Sequence, residues 1–210
     1  MQIPESLKPV VRRMPFYRRL RREIDVNALR RLARESSPLN VVIGGGGILY
    51  DGWIHTERNV LDITRPSDWE AIFRPDSIDR ILSEHVLEHL TEEDGRRAFA
   101  LCFRFLKPGG LFRIGVPDGY RRDPAYVAEV SPPRDGHLAL YNVDTLTASL
   151  ESVGFRTEPL EFFDAGGTFQ RRPWDETEGY IGRSARFNRD EPFKREDIYF
   201  TSLIVDARKP

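Results

Sequence analysis

Cysteine, methionine and long apolar runs are all scarce in this chain of 210 residues, which holds one Cys and two Met. The single thiol, Cys102, excludes disulfide frameworks and thiolate zinc sites, and its setting in the run AFALCFRFL reads as a small core residue. No stretch approaches the roughly 20 apolar residues of a membrane-spanning helix. The first residues also lack the apolar centre of a signal peptide, so a reduced, cytoplasmic setting is the expectation. An excess of either charge is missing too. Lys and Arg number 32 against 33 Asp and Glu, so no global positive field draws nucleic acid to the surface, and nucleic acid is disfavoured as a partner.

An apolar content of 40% over this length supports one sizeable core, which favours a single domain with insertions. The charge is unevenly placed: residues 1–36 hold ten Lys and Arg against four Asp and Glu, net plus six, leaving minus seven for the remainder. After Pro15, the apolar residues Phe16, Tyr17, Leu20, Ile24, Leu29 and Leu32 recur at near-helical spacing. Residues 1–36 therefore read as a basic amphipathic helical segment with a wet cationic face, and 37–210 as the main domain.

From Asn40 onward, strand-like and helix-like segments alternate: VVIGG, WIHTERNVLD, a short helix at Ser67–Phe73, the strand IDRILSEH, and a helix from Glu92 to Leu106 stopped by Lys107-Pro108-Gly109-Gly110. LFRIGVP follows as a buried strand, then a helix begun by Asp144 and ended by Gly154, the strand RTEPLEFFD, and a last strand in DIYFTSLIVDARK. This is the rhythm of a doubly wound α/β sheet. Residues 168–195, mixing Arg, Asp and Glu with aromatic residues, break the rhythm and read as an insertion over one sheet edge.

The segment Asn40–Asp62 carries the most chemistry. A strand ends in Gly44 to Gly47, and the next strand carries Glu57. Glycines at a strand end admit a ligand close to the backbone, and an acid on the neighbouring strand can hold two ribose hydroxyls. A dinucleotide fingerprint needs a helix opening at the glycines and an acid roughly 20 residues on. Here Glu57 follows Gly44 by 13 positions, with no room for that helix, so an adenosine-type ligand without pyrophosphate fits better. Taken alone, Glu57 reads first as a solvent-facing carboxylate paired with Arg58, and its placement after the glycines is what favours the ribose.

Together, IGGGG, Glu57, SIDRILSEHVLEHL and FLKPGGLFRIGVPD, in that order, resemble the class I S-adenosylmethionine-dependent methyltransferases, especially the bacterial methyltransferase type 11-like group. The resemblance runs from about Asn40 to Phe163 and implies a Rossmann-like sheet of about seven strands; this chain departs from most members in a shortened first β-α connection, a short loop where they place a helix. It also implies S-adenosylmethionine as cofactor and methyl transfer to a hydroxyl or amine of a small-molecule or saccharide acceptor. Carried over residue by residue, Gly44 and Gly46 would lie beside the methionine portion, Glu57 on the ribose, Asp62 near the adenine, and Ser83, Glu84 and His85 beneath the sulfonium. A non-catalytic relative that acts through partner binding is the alternative from another class, with an RNA methyltransferase behind it.

Methyl transfer from a sulfonium is an in-line displacement, and a general base helps when the acceptor is a hydroxyl. His137 in GHLALYN is the first candidate base, with His85, Asp118 and Tyr141 also at or after strand ends. His85 and His89 stand four apart, but His85 ends a strand and no HExxH motif is present, so no metal is expected. Glu88 and His89 read as residues that orient a turn.

Overall fold

The computed structural model describes residues 15–45, 50–185 and 201–210. Its strands are β1 (Asn40–Ile43), β2 (Ile54–Thr56), β3 (Ile78–Glu84), β4 (Leu106–Val116), β5 (Arg156–Phe163), β6 (Phe169–Arg171) and β7 (Leu203–Arg208). They form one seven-stranded sheet in the order β2-β1-β3-β4-β7-β5-β6. The first four strands in that order are parallel, β7 runs antiparallel between β4 and β5, and β6 closes back on β5 as a hairpin. The α/β class, the seven strands and the short first connection are as expected, since only residues 44–53 separate β1 from β2.

The helices are α1 (Pro15–Glu35), α2 (Pro66–Ile72), α3 (Glu92–Phe105), α4 (Pro124–Val130) and α5 (Val143–Glu151). Thr91 caps α3 by accepting from the Asp94 N–H, and Glu92, Glu93 and Asp94 lie at the positive end of its dipole. Asn142, not Asp144, caps α5, through a reciprocal box with Thr145.

Side chains alternate across the sheet, and the two faces differ in kind. Val41, Ile43, Ile81, Phe112, Ile114 and Val205 face a large core to which α1, α2, α3 and α5 all contribute. Val42, Leu82 and Ile204 face the other way, into a small cluster with Leu160 and Ile181 that has no helical member. The α/β fold is as expected, with one difference in how its second face is covered. The shortened β1–β2 connection supplies no helix among the described residues, and chain from the expected insertion takes its place. The insertion accordingly does more than line an edge: β6 forms that edge, and residues 174–184 then cross the second face. Its residues 186–195 lie outside the described residues.

The N-terminal segment is also corrected in part. Residues 1–14 lie outside the described ones. In α1 the residues packed on the core are Val26, Leu29 and Ala33, whereas Leu20, Ile24 and Leu32 are 45%, 51% and 43% exposed. The buried stripe therefore lies at a different helical phase from the one read in the sequence. Nor are all its cations solvated: Arg22 pairs with Asp68 at 2.7 Å and donates to the Asn59 and Val60 carbonyls, and Arg30 donates to the Ala71 carbonyl.

Candidate functional site

Parallel pairing brings the carboxyl ends of β2, β1, β3 and β4 to one rim of the sheet, where ligands of open α/β sheets bind. At the end of β1, Gly44 has φ +64° and donates its N–H to the Thr56 carbonyl at 2.9 Å. A Cβ at this position would stand 2.6 Å from Val86 Cγ2. Glycine is thus required for close approach of the turn after β3, in addition to any ligand it admits. Gly46 lies outside the described residues.

Glu57 follows β2 directly and is exposed. Its carbonyl accepts the Val60 and Leu61 N–H groups, and Arg22 braces the same turn through the carbonyls of Asn59 and Val60. Among the described residues Glu57 makes no ion pair with Arg58, whose charge acts on Asp62 instead. The Asp62 carboxylate is occupied by its own turn, accepting from Thr64 N and Thr64 Oγ1 at 3.1 and 2.7 Å, with Arg65 at 3.3 Å. Burial opposes the Asp62 charge, yet the Thr64 bonds and the two arginines outweigh it and lower its pKa below the usual value.

At the end of β3, Ser83 is fully buried and its hydroxyl has no hydrogen-bond partner among the described residues. Glu84 accepts from the backbone N–H groups of Gly182 and Arg183 at 3.0 and 2.7 Å and from the Tyr50 hydroxyl at 3.4 Å. Burial, then the charge of Glu84, push the Tyr50 phenol far up. Glu84 is therefore an anchor for the chain crossing the second face, which removes it as a free carboxylate for a cofactor. His85 adopts a left-handed φ of +53°, costly for a residue with a Cβ. Its Nδ1 lies 3.0 Å from Glu88 Oε1 and its Nε2 lies 2.9 Å from the Ser202 hydroxyl. Both ring nitrogens face protein groups, which leaves none for a substrate.

His137 is buried, and its Nδ1 lies 2.7 Å from the Val130 carbonyl. A carbonyl only accepts, so Nδ1 carries a proton, and in the neutral ring Nε2 presents the lone pair. The ring meets His89 edge-on, with centroids 5.0 Å apart. Asp118 and Tyr141 are poor candidates for the base. Asp118 spends both oxygens on the N–H groups of Tyr120 and Phe163, and burial pushes the Tyr141 phenol up to about 12. Glu88 and His89 read in the sequence as turn residues, yet the fold brings both against His137. The repeated histidines of HVLEH are a visible signal; their meeting with a residue 48 positions beyond His89 is not.

A sheet in which β2, β1, β3 and β4 are adjacent and parallel and β7 and β6 are reversed, with glycine after the first strand and an acid after the second, has the Rossmann-like α/β fold found in methyltransferases. Residues 55–114 match the family model described as "Methyltransferase domain", so the chain carries methyltransferase-domain sequence there and the resemblance stands. A curated Mycolicibacterium smegmatis protein described as a "Probable S-adenosylmethionine-dependent methyltransferase" is 33% identical over 82 residues, 39% of this chain and 30% of the relative. The match thus spans less than a third of the length of that relative. Among solved structures, the Haloferax volcanii Trm112 methyltransferase activator complex aligns with a TM-score of 0.50 at 15% identity, covering 83% of each chain. An S-adenosylmethionine-dependent methyltransferase from Archaeoglobus fulgidus aligns at 0.49 and 18% identity over 90% of this chain and 94% of that one.

Among the described residues no helix is long and apolar enough to cross a membrane.

Proposed function

We propose that the protein is an S-adenosylmethionine-dependent methyltransferase acting on a hydroxyl or amine of a small molecule or saccharide. The observation that carries this reading is Glu57, an exposed carboxylate just after β2 that lies within the segment matching the methyltransferase family and follows the strand paired with β1, which ends at the left-handed Gly44.

The residues present fit the cofactor at its ribose end. Glu57 would hold the two hydroxyls, and the orphaned Ser83 hydroxyl marks polar capacity at the end of β3. When bound, S-adenosylmethionine supplies the electrophilic methyl group, and the protein aligns the acceptor and excludes water. Asp62 and Glu84 act indirectly, the first by fixing the turn beyond Glu57 and the second by holding residues 182 and 183 over the sheet. While its lone pair is otherwise unengaged, His137 Nε2 is the group assigned to take the acceptor's proton, and His85 is a positioning residue whose Nδ1 lies 3.0 Å from Glu88 Oε1 and whose Nε2 lies 2.9 Å from the Ser202 hydroxyl.

The test is calorimetric titration with S-adenosylhomocysteine, which binds without turnover. Micromolar binding is expected, weakened by about 1.5–3 kcal/mol in Glu57→Ala through loss of charge-assisted hydrogen bonds. Undiminished affinity in the variant refutes the ribose assignment. No binding at millimolar ligand by the native chain refutes the enzyme reading and favours a non-catalytic protein that binds a partner.

A further inference from the structure

Glu88, His89 and His137 bring one carboxylate oxygen and two ring nitrogens within 4.8 Å of one another. The grouping is built by backbone. Glu88 and His89 lie in a short 3-10 turn, Leu87–His89, and the Glu88 carbonyl accepts the Leu138 and Ala139 N–H groups at 2.7 and 3.1 Å, which docks residue 137 against them. Each histidine meets a carbonyl through Nδ1: His137 at Val130, 2.7 Å, and His89 at Gly136, 3.2 Å. This outer arrangement sets the tautomer of metal-ligating histidines, leaving Nε2 as the donor to the metal.

The Glu88 side chain supplies the independent observation. It is fully buried, and among the described residues neither carboxylate oxygen accepts a hydrogen bond. His85 Nδ1 lies 3.0 Å from Oε1 but without hydrogen-bond alignment. A buried carboxylate in this state is costly unless a cation meets it, a role open to protonated His85 at Oε1 and to a metal ion on the side of His89 and His137.

We infer that Glu88, His89 and His137 form a binding site for a divalent transition-metal ion of the zinc class. Two imidazoles and one carboxylate suit zinc and leave a fourth position open, whereas magnesium and calcium favour oxygen donors throughout. Tetrahedral ligands at about 2.0–2.2 Å stand about 3.4 Å apart, so the cluster must contract, and the exposed His89 supplies both the freedom to do so and the entry path. The metal uses the His137 lone pair, so ligation and base action by that imidazole exclude each other. The site rests on this geometry and does not require methyl transfer.

The decisive experiment uses the full chain, stripped with a chelator and titrated with Zn2+ against a chromophoric competitor, with metal content after purification measured by mass spectrometry. One Zn2+ per chain is expected, with affinity at least about tenfold weaker in His89→Ala, whose exposed side chain can be removed without opening the core. His137→Ala and Glu88→Gln should weaken binding similarly, with circular dichroism confirming that each variant is folded. Failure of the native chain to bind one equivalent at micromolar Zn2+, or equal affinity in His89→Ala, overturns the site. Zinc binding without S-adenosylhomocysteine binding keeps the metal site and sinks the methyltransferase reading; the reverse result does the opposite.

Discussion

Arg113 and Asp206 meet in two parallel hydrogen bonds of 2.7 and 2.8 Å on the sheet face whose apolar cluster has no α-helical member among the described residues. Arg113 is fully buried, donates through Nη1 to the carbonyls of Asp175 and Gly179, and lies 4.9 Å from the centre of the Trp174 ring. It therefore joins the sheet to the segment that covers it, satisfying polar groups where a helix would have presented apolar ones. Arg113→Ala strands a buried Asp206 carboxylate and should cost about 3–5 kcal/mol. The double variant Arg113→Met with Asp206→Leu should be less destabilised than that single variant. Urea denaturation measures both, and a single-variant loss under about 1 kcal/mol would show that the pair is not an anchor.

Glu84 ties down the far end of the same segment through the N–H groups of Gly182 and Arg183. In Glu84→Ala these two buried-side donors lose their acceptor, at about 1–3 kcal/mol. Hydrogen exchange at residues 182 and 183 should quicken selectively, while amides of α3 keep their protection. Exchange at the two amides as slow as in the native chain would assign the seating of the segment to Arg113 and to Glu161, which accepts from Trp174 Nε1 and the Ala185 N–H.

The strand and helix rhythm from β1 to β5 is legible in the sequence because most elements carry their own signal: the apolar VVI, the Lys107-Pro108-Gly109-Gly110 stop after α3 and Gly154 after α5, although the cap of α5 is Asn142 and not the Asp144 read from the sequence. The covering of the second face is not legible, because it depends on irregular chain at residues 174–184 held by partners distant in sequence, Arg113 and Glu84. The site divides in the same way. The role proposed for Glu57 rests on its offset to Gly44, a local relation that a sequence displays. The carboxylates of Asp62 and Glu84 also stand near the rim, but whether a carboxylate is free depends on tertiary hydrogen bonds that spacing does not reveal. Glu88 reads as a turn residue because its burial comes from the chain at Leu138 and Ala139.

Gly44 combines a left-handed φ of +64° with the 2.6 Å approach that a Cβ would make to Val86 Cγ2. Gly44→Ala should destabilise by roughly 1–3 kcal/mol, from conformational cost and overpacking together. Adding Val86→Ala removes the steric part and leaves the conformational part, so Gly44→Ala should cost less in the Val86→Ala background than in the native chain. Chemical denaturation of the two single variants and the double variant closes the cycle. An equal cost in both backgrounds would show that Val86 does not press on this site.

Asp118 gives the fold a pH dependence of defined sign. It is fully buried, and burial raises its pKa from 3.8 to about 6, against the opposing bonds from the Phe163 and Tyr120 N–H groups and the charge of Arg121. The folded carboxyl holds its proton more tightly than the unfolded one, so its stabilising contribution is complete below pH 3.8, is lost as pH rises to about 6, and stays level above. The span corresponds to about 3 kcal/mol as an order of magnitude. Asp118→Asn removes the titration while setting an amide N–H against a backbone donor, so it should be less stable at every pH but free of this slope. Subtracting the two denaturation curves cancels the other titrating groups, and the native chain's advantage should shrink between about pH 4 and pH 6. A difference that is flat, or that grows with pH, would mean that Asp118 is charged throughout and that its two backbone bonds outweigh burial.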